Sequence, residues 1–460
     1  MITTDIPKSI FRAYDIRGIV DETFTPNNIY TIGLSIGTEA LKRGEHTLII
    51  GRDGRLSGPS LLKALSEGIR ASGCNVINIG EVTTPILYYA TNVLSSTSGV
   101  MLTGSHNPPN YNGIKIVLQG NALYEQGIYD LHERIVKQDF SFGAGKEEFK
   151  DIIDDYIKRV VSDIKLSAKL KVVVDCGNGV GGKVAPKLFK ALGAEVIELF
   201  CEVDGNFPNH HPDPSEEKNL ADIKKAVKAN HADVGLAFDG DADRVGVVTN
   251  AGNAIASDRL LMFFALDLLT RHPGAEIIFD VKSTRHLAEQ ITKHGGKPFM
   301  MQTGHSYIKA KMRETNDLLA GEFSGHTFIK ERWYGFDDGI YTGARFLELL
   351  AKDTKTSDQI FAALPDSLHT PELKLPMADE LKFSLMKKLQ KEIKFDDAKI
   401  TTLDGIRADF KDGFGLIRSS NTTPYLVMRF EGDSEEALAR IQKVFKEKLL
   451  AIDSSIKIPY

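Results

Sequence analysis

Three aspartates, Asp239, Asp241 and Asp243, alternate along "FDGDADRVGVV", directly after an apolar run. Hard carboxylate oxygens at that spacing suit a divalent cation such as Mg²⁺ or Ca²⁺. A calcium loop of the EF-hand kind begins in the same way, but its sixth position needs glycine and its twelfth glutamate. This chain has Arg244 and Asn250 there. Three carboxylates leave coordination positions open, which Mg²⁺ commonly fills with phosphate oxygens and water. An acidic surface turn is the competing reading.

"TGSHNPPNYNGIKI" (103–116) sets Ser105 beside His106. A serine hydroxyl attacks only with the help of a base or when it carries or receives a phosphoryl group. Neighbours on an extended chain point to opposite faces, and the stretch lacks the GxSxG elbow of α/β hydrolases. Both points disfavour a Ser-His-Asp triad; a turn-forming hydroxyl ahead of Pro108 and Pro109 is the plain alternative. His106 stays a candidate acid or base, and Lys115 a proton donor or phosphate partner, with a solvated lysine as its alternative. "GEFSGH" offers Glu322 and Ser324 as hydrogen-bonding groups and His326 as an acid or base, a mixture that suits sugar hydroxyls. "RSSNTTP" (418–424) gathers Arg418, Ser419, Ser420, Asn421, Thr422 and Thr423, a set of donors that suits phosphate oxygens. A Ser/Thr-rich turn explains it equally. "GNGVGG" matches the dinucleotide fingerprint after "KVVVD", with Glu195 and Glu198 following, but Asp175 would lie beside the pyrophosphate.

The elements that must position these loops recur three times. "HTLIIGRDGR", "LKVVVDCGNGVGG" and "AEIIFDVKSTRHL" each read as strand, loop and helix. Each is followed by a second strand ("CNVINIGEVTTP", "AEVIELFCEV", "GKPFMMQTGHS") and a third ("SGVMLTGSHNPP", "ADVGLAFDGDADR", "LLAGEFSGH"). The third strand of every copy runs into its most polar loop, and ligand sites in open α/β sheets lie beyond the carboxyl ends of strands. Three related α/β domains are expected, followed by a smaller α+β domain built from "DGIRADF", "GFGLIRSS", "YLVMRFEG" and a charged helix. The boundaries fall at 1–150, 151–255, 256–366 and 367–460.

A chain of 460 residues exceeds what one core supports, which agrees with several domains. The net charge of −5 provides no basic field for nucleic acid. Cys74, Cys176 and Cys201 are widely spaced and form no CxxC, so neither a disulfide framework nor a zinc site is expected. No signal-peptide pattern opens the chain and no long apolar run crosses a membrane, which points to a cytoplasmic protein.

Together the loops resemble the α-D-phosphohexomutase superfamily, most closely its bacterial phosphomannomutase/phosphoglucomutase members. The resemblance rests on "FRAYDIRG", "GRDGR", "TGSHNPPNYNGIK", "DGDADR", "DVKSTR", "TGHSYIK", "GEFSGH" and "RSSNTTP", in the family's order along nearly the whole chain. It implies an α/β fold of four domains around a central cleft, the first three of related topology with mixed sheets. It implies interconversion of hexose 1-phosphate and hexose 6-phosphate through a hexose 1,6-bisphosphate, which also serves as activator. Ser105 would carry the phosphoryl group, and Asp239, Asp241 and Asp243 would hold Mg²⁺ with it, Arg244 lying beside. Tyr14, Arg17, Lys115, Lys282, His305 and His326 would position substrate or move protons, with Lys115 the favoured acid or base. Glu322 and Ser324 would read the sugar, and Arg418, Ser420, Asn421, Thr422 and Thr423 would grip the non-reacting phosphate. Phe323 stands where close relatives often carry methionine and where glucosamine-phosphate members commonly carry glutamine, which argues against an amino sugar. A phosphoglucosamine mutase, a nucleotide-dependent oxidoreductase and a phosphosugar phosphatase are the alternatives. The expected partners are small phosphosugars, with no nucleic acid or membrane, and a monomer or weak homo-oligomer is expected.

Overall fold

The computed structural model describes residues 2–420, 424–454 and 456–460. All nine strands of the threefold pattern are present. In the first copy Thr47–Arg52 pairs in parallel with Asn75–Glu81 on one side and with Gly99–Leu102 on the other. Gly99–Leu102 then pairs antiparallel with Tyr111–Leu118. The second copy repeats this arrangement: Lys171–Asp175 lies parallel to Glu195–Leu199 and Val234–Phe238, and Val234–Phe238 is antiparallel to Val245–Thr249. In the third, Glu276–Asp280 runs parallel to Lys297–Met301, and Leu319–Gly321 antiparallel to Thr327–Ile329.

The pairing follows from composition. The strands "GVML" and "VGLAF" are buried along their whole length, as expected for strands covered on both faces of a parallel layer. Helices begin where the sequence provides a cap: Thr25 accepts from Asn28 N ahead of Pro26–Lys42, and Thr83 from Ile86 N ahead of Thr84–Val93. Proline near the first helical position of both is compatible with the unpaired N–H groups there.

The chain packs into two compact units, Met1–Leu260 with His305–Phe361, and Leu261–Gly304 with Ala362–Tyr460. The 256–366 stretch therefore contributes to both. The second unit contains an antiparallel sheet ordered Leu368–His369, Tyr425–Gly432, Gly413–Ser419, Ile406–Phe410, Lys399–Thr401. The helix Glu435–Ile452 presents Ile441, Phe445 and Leu449 to its core, where Phe445 meets Phe395 and Phe430. Among the described residues, no helix is long and apolar enough to cross a membrane.

Candidate active site

Ser105 follows the strand Gly99–Leu102 and takes a left-handed φ of 48°. A non-glycine residue in that region is strained and needs its surroundings to hold it there. The support is Arg55. Its fully buried guanidinium donates to the carbonyl oxygens of Ser105 (2.9 Å), Asn107 (2.6 Å), Pro108 (2.6 Å) and Tyr111 (2.8 Å). Asp53 completes the cradle, accepting from Arg55 Nε at 3.2 Å, Thr103 Oγ1 at 2.8 Å and Gly104 N at 3.1 Å. A Cβ on Gly104 would lie 2.3 Å from the guanidinium, so the fit requires glycine.

The left-handed turn corrects the reading of Ser105 and His106 as neighbours on an extended chain. The loop is not extended there, and Ser105 Oγ lies 3.1 Å from His106 Nδ1. Burial, then the charges of Arg244 and Arg17, hold the His106 imidazole well below its ordinary pKa and therefore neutral. Ser105 Oγ also donates to Asp239 Oδ2 at 2.8 Å. Gly240 brings the two loops together: a Cβ there would stand 2.3 Å from the Ser105 carbonyl oxygen.

Asp239, Asp241 and Asp243 are fully buried, and each presents an oxygen within 4.8 Å of the others. Lys115 Nζ bridges Asp241 (2.7 Å) and Asp243 (2.5 Å), and Thr84 Oγ1 also donates to Asp241. Burial and then the negative charges of Asp243 and Asp241 push the Asp239 carboxyl well up. Burial raises Asp241 too, but the Lys115 ammonium and the bonds from Lys115 and Thr84 outweigh it and hold this carboxyl low. Conversely, burial would lower Lys115, yet the charges of Asp241 and Asp243 keep it well above its ordinary value. Lys115 is thus held protonated in this arrangement; acting as a base would require its release from the two carboxylates. Asp241 Oδ1 and Asp243 Oδ1 are buried and accept no hydrogen bond from the described residues. Three mutually repelling carboxylates with unused oxygens fit a hard divalent cation.

Arg244 ties this loop to the "GEFSGH" turn. Its backbone N donates to Asp239 Oδ1 at 3.2 Å and its Nε to His326 Nε2 at 3.0 Å, beside an isolated β-bridge between Arg244 and His326. An acceptor role for Nε2 puts the proton of neutral His326 on Nδ1, which lies 3.1 Å from Asp337 Oδ2 and 3.7 Å from Asp243 Oδ1. Asp337 also bonds Lys309 at 2.8 Å and approaches His305 Nδ1 at 3.7 Å. Burial and then Lys309 press His305 well below its ordinary pKa. The His305 and His326 rings stack with centroids 5.4 Å apart, and Tyr14 meets His305 edge-on at 5.9 Å. Arg17 pairs with Asp15 and Asn107. Glu322 is buried, with its N–H donating to the His326 carbonyl at 2.9 Å, and Ser324 is half-buried in the same turn.

In the second unit, Lys282 Nζ contacts Glu372 Oε1 at 3.0 Å and Asp280 Oδ2 at 3.7 Å. Burial raises Glu372, but Lys282, with help from Arg418, brings its carboxyl below the usual range. Arg418 Nε donates to Asp404 Oδ2 at 2.8 Å, and buried Ser420 donates its backbone N–H to the Tyr425 carbonyl at 3.0 Å. Asn421, Thr422 and Thr423 lie outside the described residues.

Four family profiles match in succession: the α/β/α domains I, II and III of phosphoglucomutase/phosphomannomutase over residues 8–140, 154–252 and 256–368, and its C-terminal domain over 372–448. The chain belongs to this family. The phosphomannomutase/phosphoglucomutase of Pseudomonas aeruginosa is 56% identical over 455 residues, covering 99% of this chain and 98% of its own. The phosphoglucomutase of Neisseria gonorrhoeae is 51% identical, with 96% of each chain covered. The crystal structure of a phosphoglucomutase/phosphomannomutase family protein from Burkholderia thailandensis superposes with a TM-score of 0.95 at 50% identity, over 99% of this chain and all of the other.

Several groups in this phosphohexomutase site were not assigned roles from sequence. Arg55 and Asp53 sit within the "GRDGR" motif, Lys309 closes "TGHSYIK", and Thr84 lies in "VTTP". Asp337 had only the weak signal of an acidic pair after "RWYGF". The glycines of "GNGVGG" prove to approach protein backbone: Cβ atoms on Gly179 and Gly182 would stand 2.8 Å from Gly240 O and 1.9 Å from Cys201 O. Close backbone packing, of Gly179 on the aspartate loop and of Gly182 on Cys201, accounts for these two glycines without a dinucleotide.

Proposed function

We propose that the protein interconverts the 1- and 6-phosphates of mannose, glucose or both. Phospho-Ser105 transfers its phosphoryl group to the free hydroxyl of a hexose monophosphate, whose proton leaves to a site base. The bisphosphate formed turns over in the site. Ser105 Oγ then takes the other phosphoryl group, leaving the isomeric monophosphate and the rephosphorylated enzyme, with nothing consumed. The observation that carries the reading is the buried Ser105 Oγ, held 2.8 Å from one of three clustered aspartates. Phosphoryl transfer needs mainly positioning and charge stabilisation.

Asp239, Asp241 and Asp243, with the phosphoserine, are the residues that would hold Mg²⁺. Bound there, the ion supplies neutralisation of charge on the departing serine oxygen. Arg55 and Asp53 fix the serine's backbone, and Arg244 keeps the aspartate loop against His326. His326, its Nδ1 facing Asp337, is the member of the site best arranged to exchange a proton at Nε2 once Arg244 shifts to a phosphate. Lys282, Arg418 and Ser420 bring cations and a hydroxyl suited to the non-reacting phosphate. Hexose 1,6-bisphosphate is the activator, because it phosphorylates Ser105 directly.

Conversion of mannose and glucose 1-phosphates to their 6-phosphates, with a trace of hexose 1,6-bisphosphate and Mg²⁺, tests the reading. Ser105→Ala is expected to lose on the order of 10³-fold or more in turnover, as when a covalent group is deleted. Near wild-type activity of that variant, or release of inorganic phosphate in place of the isomer, would contradict it.

A further inference from the structure

The parallel neighbours Lys171–Asp175 and Glu195–Leu199 both lead into a cysteine beyond their carboxyl ends. Cys176 follows Asp175 directly. Phe200, with a φ of 50°, breaks the extended path ahead of Cys201. Although 25 residues separate them in sequence, their sulfurs lie 3.6 Å apart. Both are free thiols; Cys176 is buried and Cys201 half-buried. A disulfide has an S–S distance of about 2.05 Å, so closure asks the two sulfurs to approach by roughly 1.5 Å. Side-chain rotation and small backbone shifts commonly provide such a movement, provided the neighbours yield.

Here the neighbours belong to the aspartate loop. Cys176 O accepts from Gly179 N at 2.7 Å, and Val180 N donates to Gly240 O at 3.2 Å. A Cβ on Gly181 would lie 3.7 Å from Cys176 Sγ and 3.2 Å from Ala242 Cβ. The Cys201 carbonyl bears directly on Gly182. Residues 177–182 thus form a tightly packed layer between the thiol pair and the loop that carries Asp239, Asp241 and Asp243. Among the described residues, the hydrogen bonds of the Cys201 sulfur go to Val174 O, Leu199 O and Cys176 Sγ.

We propose that Cys176 and Cys201 form an oxidation site that closes to an intramolecular disulfide under peroxide and thereby slows turnover by displacing the aspartate loop. The more accessible Cys201 thiol releases its proton and the thiolate attacks one peroxide oxygen, breaking the O–O bond to give a sulfenic acid and hydroxide, which takes up that proton as water. Cys176 sulfur then attacks Cys201 sulfur, the S–O bond breaks, and hydroxide leaves with the Cys176 proton as a second water. Two thiols are oxidised by two electrons and one peroxide is reduced. A dithiol reverses the bond by exchange.

The full-length protein treated with hydrogen peroxide tests this. Thiol titration after denaturation should fall from three to one, and peptide mapping should give a Cys176–Cys201 crosslink. Hexose-phosphate turnover should drop about tenfold to 100-fold, since an ångström-scale misplacement in an active site costs up to about 100-fold. Dithiothreitol should restore it. Cys201→Ser and Cys176→Ala should each keep basal turnover and resist peroxide. Three thiols remaining, a crosslink through Cys74, or equal peroxide sensitivity in both variants would overturn the site. A Cys176–Cys201 disulfide with unchanged turnover would overturn its coupling to the loop.

Discussion

At the scale of single residues, the proposed chemistry depends on groups that hold Ser105 as much as on Ser105 itself. Arg55 donates to four carbonyl oxygens of one loop and pairs with buried Asp53. A lysine retains the charge but cannot present a planar fork to several acceptors. Arg55→Met strands a buried carboxylate as well, and breaking a buried pair in this way costs roughly 3 to 5 kcal/mol. The expected outcome is a lower thermal midpoint for Arg55→Met, a smaller loss for Arg55→Lys, and reduced mutase turnover in both. Equal stability of all three proteins would remove Arg55 from its assigned place. The residues that sequence could identify were those with a local signature, such as the alternating aspartates. Arg55 to Ser105 and Arg244 to His326 are contacts across 50 and 82 positions, and nothing in either short segment announces its partner.

At the scale of elements, strands were legible and loop conformations were not. Period and β-branched content identified all nine strands of the repeat; strands such as Gly99–Leu102 and Val234–Phe238 are buried throughout and read as continuous apolar runs, whereas Glu195–Leu199 and Lys297–Met301 are only partly buried. The left-handed Ser105 had no such signal; tertiary contacts impose it, and so the proximity of His106 was misread. The meeting of the serine and aspartate loops has a direct test. Gly240→Ala puts a methyl group within 2.3 Å of the Ser105 carbonyl oxygen, forcing the loops apart. Turnover should fall about 100-fold, as for an ångström-scale displacement, while far-UV circular dichroism stays unchanged; full activity would contradict the packing. The helix Gly339–Lys352 offers a second test. Its cap Asp338 accepts from Tyr341 N, Tyr156 OH and Trp333 Nε1, and burial pushes its carboxyl up to about 7. The folded protein therefore holds a proton that the unfolded chain releases above about 3.9. The stability linked to that proton is full below this pH and is lost as pH rises through about 7. The thermal midpoint of wild type should consequently fall relative to that of Asp338→Asn between pH 5 and pH 8; parallel profiles would show that Asp338 ionises normally.

At the scale of the whole molecule, the four family domains fold as two compact units, and the serine and all three aspartates belong to the first. A cation held by these aspartates in the folded state alone stabilises that unit by about 2.7 kcal/mol at 100 times its dissociation constant. Calorimetry should show Mg²⁺ raising the melting transition of this unit, and Asp241→Asn should abolish the shift. The repeat and the class of reaction were legible because their motifs are local and ordered along the chain. The division into units was not, since it depends on which distant segments pack together. In the proposed reaction Ser105 carries the phosphoryl group. Incubating dephosphorylated protein with hexose 1,6-bisphosphate labelled in its phosphates, followed by peptide mapping, shows which residue takes up the phosphoryl group. One labelled peptide, modified at Ser105, is expected, with the label chased into hexose monophosphate product and no labelling of Ser105→Ala. Label on another residue, or turnover with no labelled protein, would contradict it.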